Sequence, residues 1–500
     1  MIDISERIRN KAYLSRIISA EQAAELIAPG SKVGMSGFTP AGYPKAVPLA
    51  LARRMEKTPF QIDLWTGGSV GDELDGALAR VNGIRRRYPY QNNKDLRRQV
   101  NDGRVAYADM HISVLAQQLR AGFFGKLDIA VVEAIAITED GDLVLGTSVG
   151  VTPTLVSVCD RVIVEVNNTK PLALEGMHDI YELAEPPQRE PIPIRQVSDR
   201  IGSPYVRCGW DKIAAIVPCD IPDTPRGLKA ADTAAEQMGE HLIHFFQQEV
   251  KAGRMPRNLL PLQSGVGSVS NAVIQGLAQS DFRELSIYTE VLQDGIFSLI
   301  DAGKVKGVSS AAISTTAEGT AHFYENLEKY RKIIVLRPQE LTNNPGLARR
   351  LGVIAMNTAV EFDIYGNVNS THFFGSKIMN GIGGSGDFAR SAYLSIFCTN
   401  SLAKDGHVSS IVPMCSHIDH TEHDVQILCT EQGIADLRGL CPQERARVII
   451  EKCAHPTYRS QLMNYFERAV ESTQGAHTPI LLDEALSWHQ RYLRTGSMLV

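Results

Sequence analysis

Short apolar runs alternate with amphipathic segments along the whole chain, and no other feature narrows its possible folds as far. The runs include KVGMSG (32–37), FQIDLWTGG (60–68), LDIAVVEAIAI (127–137), DRVIVEV (160–166), DKIAAIV (211–217), LSIYT (285–289), RKIIVL (331–336) and VSSIVPM (408–414). Most are rich in Val and Ile, which suit the pleated surface of a strand. Between them lie segments with helical spacing, for example 234–251 and 444–454. That alternation predicts an α/β fold with largely parallel sheets.

A chain of 500 residues exceeds what one hydrophobic core usually organises, so two or more domains are expected. Pro and Gly cluster at EPPQREPIP (185–193) and again at PCDIPDTPRG (218–227), where a strand ends and a long helix begins. The second cluster places the boundary, giving an N-terminal domain over 1–225 and a C-terminal domain over 226–500. Two echoes hint at similar halves. VGMSGF (33–38) and PLQSGVGSVSNAVIQGL (261–277) share a strand, Ser-Gly, helix order, and VVEAIAITEDGDLVL (131–145) has a partner in VEFDIYGNVNST (360–371). Neither establishes a duplication, because strands ending in Ser-Gly are common in α/β proteins.

The formal net charge of −5 argues against nucleic acid or an anionic membrane recognised by bulk charge. The first residues, MIDISERIRNKAYLSRIISAEQ, mix charges with apolar side chains, lack the core of a secretory signal, and predict an amphipathic first helix. No run approaches the roughly 18 apolar residues of a membrane span, so a cytoplasmic location is expected. The 8 cysteines show no CxxC pair and mostly adjoin apolar residues; buried, reduced thiols are expected rather than disulfides.

Glu290 closes one apolar run and precedes VLQDGIFSLIDAG, whose spacing suits a helix. Ligands gather at the carboxyl ends of parallel strands, which makes this a reactive address; the alternative is a charge favouring the positive end of a helix dipole. In NGIGGSGDF, Gly381, Gly383 and Gly386 satisfy G-x-G-x-x-G by letter. FFGSKIMN ahead of them is not a clean strand, so a dinucleotide site is not expected. Their bare N–H groups can cradle a phosphate or an oxyanion. SGVGS (264–268) is a second glycine loop, either a tight strand-to-helix connection or another oxyanion donor.

HIDHTEH spaces His417, His420 and His423 three residues apart among Asp419, Glu422 and Asp424. Zinc uses imidazole ligands, but the spacing is not HExxH and no distant Cys/His pair completes a set. A polar loop closing over a site, without metal, is expected. Lys45 in AGYPK and Lys404 in LAKDG follow turns and can meet phosphates as point charges or stay solvated. Arg226 in DTPRG is the nearest candidate at the boundary for gripping a second carboxylate.

The segments LQSGVG, TEVLQDG, NNPGLARRLG, MNGIGGSGDFARSAYLSIF and TEQGIADLRGL resemble the acetyl-CoA hydrolase/transferase family, class I coenzyme A transferases that use an active-site glutamate. SERIRN, SGFTPAGYPK, DIYGNVNST, KCAHP and ALSWHQR extend the likeness over nearly the whole chain. The resemblance implies two tandem CoA-transferase-type α/β domains with mainly parallel sheets, an active site between them, and a homodimer. The matching glutamate is Glu290, expected to attack an acyl-CoA carbonyl and pass through a mixed anhydride to a glutamyl-CoA thioester. Main-chain N–H groups of Val266 and Gly384 match the oxyanion hole. Asn343 and Glu431 match positions that orient the glutamate. Gly265, Val266, Gly267, Ser268 and Val269, with Asn380, Gly384 and Lys404, match positions near coenzyme A. Arg226 does not align cleanly with the arginine of relatives. The implied activity is transfer of coenzyme A from succinyl-CoA to acetate, the alternatives being transfer between propionyl-CoA and succinate, or acetyl-CoA hydrolysis. Acyl-CoA and carboxylic acids are then the partners, and no cofactor or metal is expected. Such an exchange needs no ATP, only a nucleophile, oxyanion donors and exclusion of water.

Overall fold

The computed structural model describes residues 3–225, 227, 232–265 and 267–499, so Val266 and Arg226 lie outside the described residues. The chain divides into two compact units. One comprises Met1–Leu228, Ile287–Phe297 and Lys306–Leu347; the other comprises Lys229–Ser286, Ser298–Val305 and Ala348–Val500. Beyond the N-terminal stretch, the first unit takes in two later segments, one carrying Glu290 and the other Asn343.

A wholly parallel seven-stranded sheet organises the N-terminal part of the first unit. Its strands are β1 (Lys32–Met35), β2 (Ile62–Thr66), β3 (Ile84–Tyr88), β4 (Ala106–Tyr107), β5 (Ile129–Ala134), β6 (Val162–Asn167) and β7 (Ile213–Cys219), in the order β4-β3-β2-β1-β5-β6-β7. Every residue of β5 (IAVVEA) and β6 (VIVEVN) is buried, as strands covered on both faces require. β3 has no apolar run to announce it: in IRRRY, Arg87 is fully buried against Asp75, with Nε 2.9 Å from Oδ1.

β5 and β6 each bury a glutamate, and each charge finds its partner elsewhere in the unit. Glu165 accepts from the N–H groups of Lys45, Ala46 and Val47 at 2.6, 3.1 and 2.9 Å. These donors open the helix Ala46–Lys57, whose unpaired first-turn N–H groups and dipole favour an anion. Glu133 meets Lys45 Nζ at 2.6 Å and Lys170 Nζ at 2.5 Å, and both ammonium groups also reach Asp223, at 2.9 and 2.6 Å. Lys45 is therefore neither solvated nor placed for a phosphate. Burial works to lower its pKa, but Asp223 and Glu133 outweigh it and hold the ammonium well above the ordinary lysine value.

The first residues depart from the expected amphipathic helix. They form 3-10 turns at Ser5–Arg7 and Lys11–Arg16, then a helix at Ala20–Glu25 with a Ser19/Gln22 capping box. Side-chain anchors explain the difference. Arg7 donates to the carbonyls of Ile135 and Lys170, both at 3.0 Å, and Arg16 donates to those of Trp210 and Ile213. The segment is tied down point by point, with Ile8 and Ile17 bridging Ile137 and Ile216.

In the second unit, Leu262–Ser264, Ile354–Thr358, Leu394–Cys398 and Ile427–Thr430 are neighbouring parallel strands, and Gly433–Asp436 adds an antiparallel one. The helix Thr233–Lys251 starts at Asp232, whose side chain accepts from Ala235 N at 2.8 Å. The run expected at 408–414 splits into Val408–Ser409 and Ile411–Val412. All cysteines are unpaired, and all but Cys208 and Cys441 are buried. Among the described residues no helix is long and apolar enough to cross a membrane.

Candidate active site

Glu290 sits in a bend between the strand Leu285–Tyr288 and the short strand Val291–Leu292; the following helix begins only at Asp294. The helix-start charge is therefore Asp294, and the dipole account of Glu290 does not apply. The Glu290 carbonyl is clamped by Ser310 Oγ at 2.8 Å and by the N–H groups of Ala311 and Ala312 at 3.0 and 3.1 Å. Val291–Leu292 then pairs in parallel with Ala312–Ile313. With its backbone fixed this way, the carboxyl is placed by side-chain torsions alone.

Asn343 Nδ2 donates to Glu290 Oε1. Asn343 follows the short helix Gln339–Thr342, which Tyr288 ties to the strand preceding the glutamate by donating its hydroxyl to the Leu341 carbonyl. Thr342, fully buried, donates to Asn343 Oδ1 at 2.9 Å. An amide can sit either way round, and a hydroxyl donor on its oxygen side turns its nitrogen toward the carboxyl. Sequence reasoning missed Thr342, since its effect passes through another side chain; its only signal was adjacency to Asn343.

Burial pushes the Glu290 carboxyl up to about 7, and the Asn343 donor pulls it back only in part. The residue keeps some exposed surface, so the group is desolvated yet reachable. A carboxylate with so high a pKa is a stronger base and nucleophile than an ordinary one, and near neutrality about half of it is ionised.

Several of the other expected site residues belong to the second unit, where they follow the carboxyl ends of neighbouring parallel strands. Gly265 and Gly267 to Val269 follow Leu262–Ser264, Lys404 comes soon after Leu394–Cys398, and Glu431 directly follows Ile427–Thr430. This is the edge where α/β sheets collect ligands. Gly265 N donates to the Met356 carbonyl at 3.0 Å. Gly267, at φ 130°, takes a conformation natural only to glycine and caps the helix Ser268–Gln279, whose first turn carries Ser268 and Val269. Glu431 accepts from Ser401 N at 2.9 Å, from the Ser401 hydroxyl, and from Gln432 Nε2 at 3.1 Å. Burial works to raise its pKa, but the Ser401 donors prevail and hold it below the usual value. Lys404 is exposed in a hairpin turn.

Asn380 donates to the Gly381 carbonyl at 2.9 Å, and Gly384 is buried at the start of the short helix Ser385–Ala389. Lys377–Ile378, ahead of this loop, is one arm of a two-stranded hairpin and opens no βαβ unit. The histidines of HIDHTEH do not act as a set, nor do they form a uniformly polar loop. His420 is buried against Phe397, with Nε2 3.1 Å from Ser385 Oγ; His423 is exposed on a turn; His417 turns toward His372 and Asp419.

A cavity of about 230 Å³ within the first unit is lined by Thr147, Lys170, Asp223, Ser314, Thr315 and Tyr324, among others. Ser314 N donates to the Leu292 carbonyl at 2.9 Å, so one wall is bonded to the strand that follows Glu290.

Residues 1–218 match the acetyl-CoA hydrolase/transferase N-terminal domain model, and residues 319–466 match the C-terminal domain model. The succinyl-CoA:acetate CoA-transferase of Clostridium kluyveri is 53% identical to this chain over 495 residues, covering 99% of the chain and 92% of the relative. The propanoyl-CoA:succinate CoA transferase of Escherichia coli is 43% identical over 488 residues, covering 96% and 98%. The crystal structure of RipA from Yersinia pestis is similar in fold, with a TM-score of 0.70 at 23% identity, covering 93% of this chain and 99% of that one.

Proposed function

The chain belongs to the acetyl-CoA hydrolase/transferase family, and we propose that it moves coenzyme A from succinyl-CoA to acetate through a glutamyl-CoA thioester on Glu290. The observation that carries this reading is the Glu290–Asn343 pair, a desolvated strand-end carboxyl pushed up to about 7 and steered by one neutral donor. Ionised Glu290 attacks the thioester carbonyl of succinyl-CoA; the C–S bond breaks, the thiolate leaves, and a mixed anhydride forms. The thiolate attacks the glutamyl carbonyl, releasing succinate and leaving the glutamyl-CoA thioester. Acetate attacks that carbonyl and expels the thiolate, which then attacks the acetyl carbonyl of the new anhydride. Acetyl-CoA departs and Glu290 is restored. One thioester is made for each one broken, and neither water nor ATP is consumed.

Main-chain N–H groups of Val266 and Gly384 are assigned to the developing oxyanions. Gly265 to Val269, Asn380, Gly384 and Lys404 are assigned to coenzyme A, and Glu431 to orienting the reactive glutamate. Motif matches support these roles, as does the position of Gly265, Gly267 to Val269, Lys404 and Glu431 beyond the carboxyl ends of parallel strands. A cytoplasmic homodimer completes the reading; eight unpaired cysteines suit a reducing compartment.

The test follows free thiol and acetyl-CoA together, starting from succinyl-CoA with and without acetate. Acetate-dependent acetyl-CoA with little thiol release, and a borohydride-trapped or mass-detected adduct on Glu290, are expected. Thiol release that ignores acetate would make the enzyme a hydrolase, and turnover with propionyl-CoA and succinate alone would reassign the substrates.

A further inference from the structure

His372, His417 and Asp419 take no part in the transfer chemistry, yet their donor atoms all lie within 4.8 Å of one another in the second unit. They come from two segments: His372 opens the hairpin His372–Phe373/Lys377–Ile378, and the other two lie in the stretch 417–419. The imidazole centroids are 3.8 Å apart, and His417 Nε2 is 3.2 Å from Asp419 Oδ1. Donor atoms held at about 2.0–2.1 Å around one tetrahedral ion are about 3.3 Å from each other, so the His417–Asp419 separation is one that a single ion bridges, and the packed His372 ring keeps its own donor within 4.8 Å of both.

The donors are also held in place from behind. Asp419 accepts from Ser370 N at 2.6 Å and from Thr371 Oγ1 at 2.9 Å on each oxygen, and its own N–H donates to the Val368 carbonyl at 2.9 Å. The same Thr371 hydroxyl lies 2.6 Å from His372 Nδ1, so one buried side chain orients both a ring and a carboxylate. Hydrogen bonds of this kind orient the ligands of metal sites.

We propose that His372, His417 and Asp419 bind one divalent transition ion of the zinc class, with water or a further donor completing the coordination. Two imidazoles with one carboxylate select such an ion over magnesium or calcium, which take oxygen ligands. The ion pins the hairpin to the 417–419 stretch. That hairpin leads straight into the glycine loop: Met379 N donates to the Thr371 carbonyl at 2.7 Å and Asn380 Nδ2 to that of Ser370 at 3.4 Å. Occupancy therefore steadies the base of the segment carrying Asn380 and Gly384. His420 and His423 stand outside the set, the first engaged with Ser385 and the second on an exposed turn.

Metal-free full-length protein is titrated with Zn²⁺ by calorimetry and with Co²⁺ by visible absorption, and its Tm is measured with and without Zn²⁺. One equivalent, ligand-field bands of a tetrahedral ion and a higher Tm are expected. His417→Ala, at a side chain 38% exposed and so tolerant of change, loses the equivalent; Asp419→Asn and His372→Ala do the same. Thr371→Val weakens binding by about tenfold or more, and His423→Ala leaves it intact. Circular dichroism without metal checks that each variant folds. Absence of Co²⁺ bands in the wild type overturns the site. So does binding by folded His372→Ala and His417→Ala as tight as the wild type's, or loss of binding in His423→Ala.

Discussion

Two carboxylates of the first unit, Asp223 and Glu290, are both pushed upward by burial and end up opposite in character. Glu133 and Asp223 face the ammonium groups of Lys45 and Lys170, which approach them at 2.5 to 2.9 Å. Burial works to raise Asp223, but the two lysines overwhelm it and hold the carboxyl well below its ordinary range. Glu290 has a neutral amide as its side-chain partner, and there burial prevails and the carboxyl rises to about 7. Full charge compensation makes a buried acid structural. Partial, neutral compensation leaves it unsatisfied, which is a cost in stability and a gain in reactivity.

Removing the acid at one region and the base at the other should therefore move stability in opposite directions. Glu290→Gln is expected to cut transfer by more than about a thousandfold while stabilising the protein at pH 8. The folded pKa of Glu290 lies above its ordinary 4.5, so below that value both states hold the proton and nothing is lost. As pH rises from about 4.5 to about 7 the wild type loses up to about 3 kcal/mol that the glutamine variant keeps. Melting curves at both pH extremes check this, and a variant no more stable than wild type at pH 8 would contradict the desolvation account.

Lys170→Met leaves Glu133 and Asp223 short of one counter-ion and should cost about 3–5 kcal/mol in urea unfolding. A loss under about 1 kcal/mol would mean the cluster behaves like a surface pair. Asn343→Ala removes a side-chain donor that favours ionised Glu290. About a 100-fold fall in kcat/KM is expected, with the acidic limb of the pH profile displaced upward, since the reactive form is the carboxylate. An unmoved limb would detach Asn343 from the titration of Glu290. The smallest effect is assigned to Thr342→Val, about tenfold, with a lesser shift in the same direction. Thr342→Ser should restore both, and a valine variant with wild-type kinetics would show that the amide needs no orienting.

Much of this was legible in advance, and particular residues show where legibility stopped. Strands with continuous Val and Ile, such as β5 and β6, were plain, whereas β3 was hidden because its three arginines include one paired inside the protein. The expected first helix failed because Arg7 and Arg16 spend their guanidinium groups on distant carbonyls. Glu290 was singled out from its place at a strand end. Glu133, a charge inside the apolar run VVEAIAI, was the visible trace of the lysine cluster, but nothing local named its partners. The repeated histidines of HIDHTEH suggested a set, while the neighbour of His417 proved to be His372.

By itself the sequence determined the alternating elements, the mainly parallel sheets and the strand-end position of Glu290, because apolar periodicity and strand ends are local properties that a few adjacent residues encode. The tertiary structure alone decided which charges meet. Lys45, Glu133, Lys170 and Asp223 are scattered along the chain, as are Glu290 and Asn343, and both Coulomb attraction and desolvation depend on distance through space rather than along the sequence.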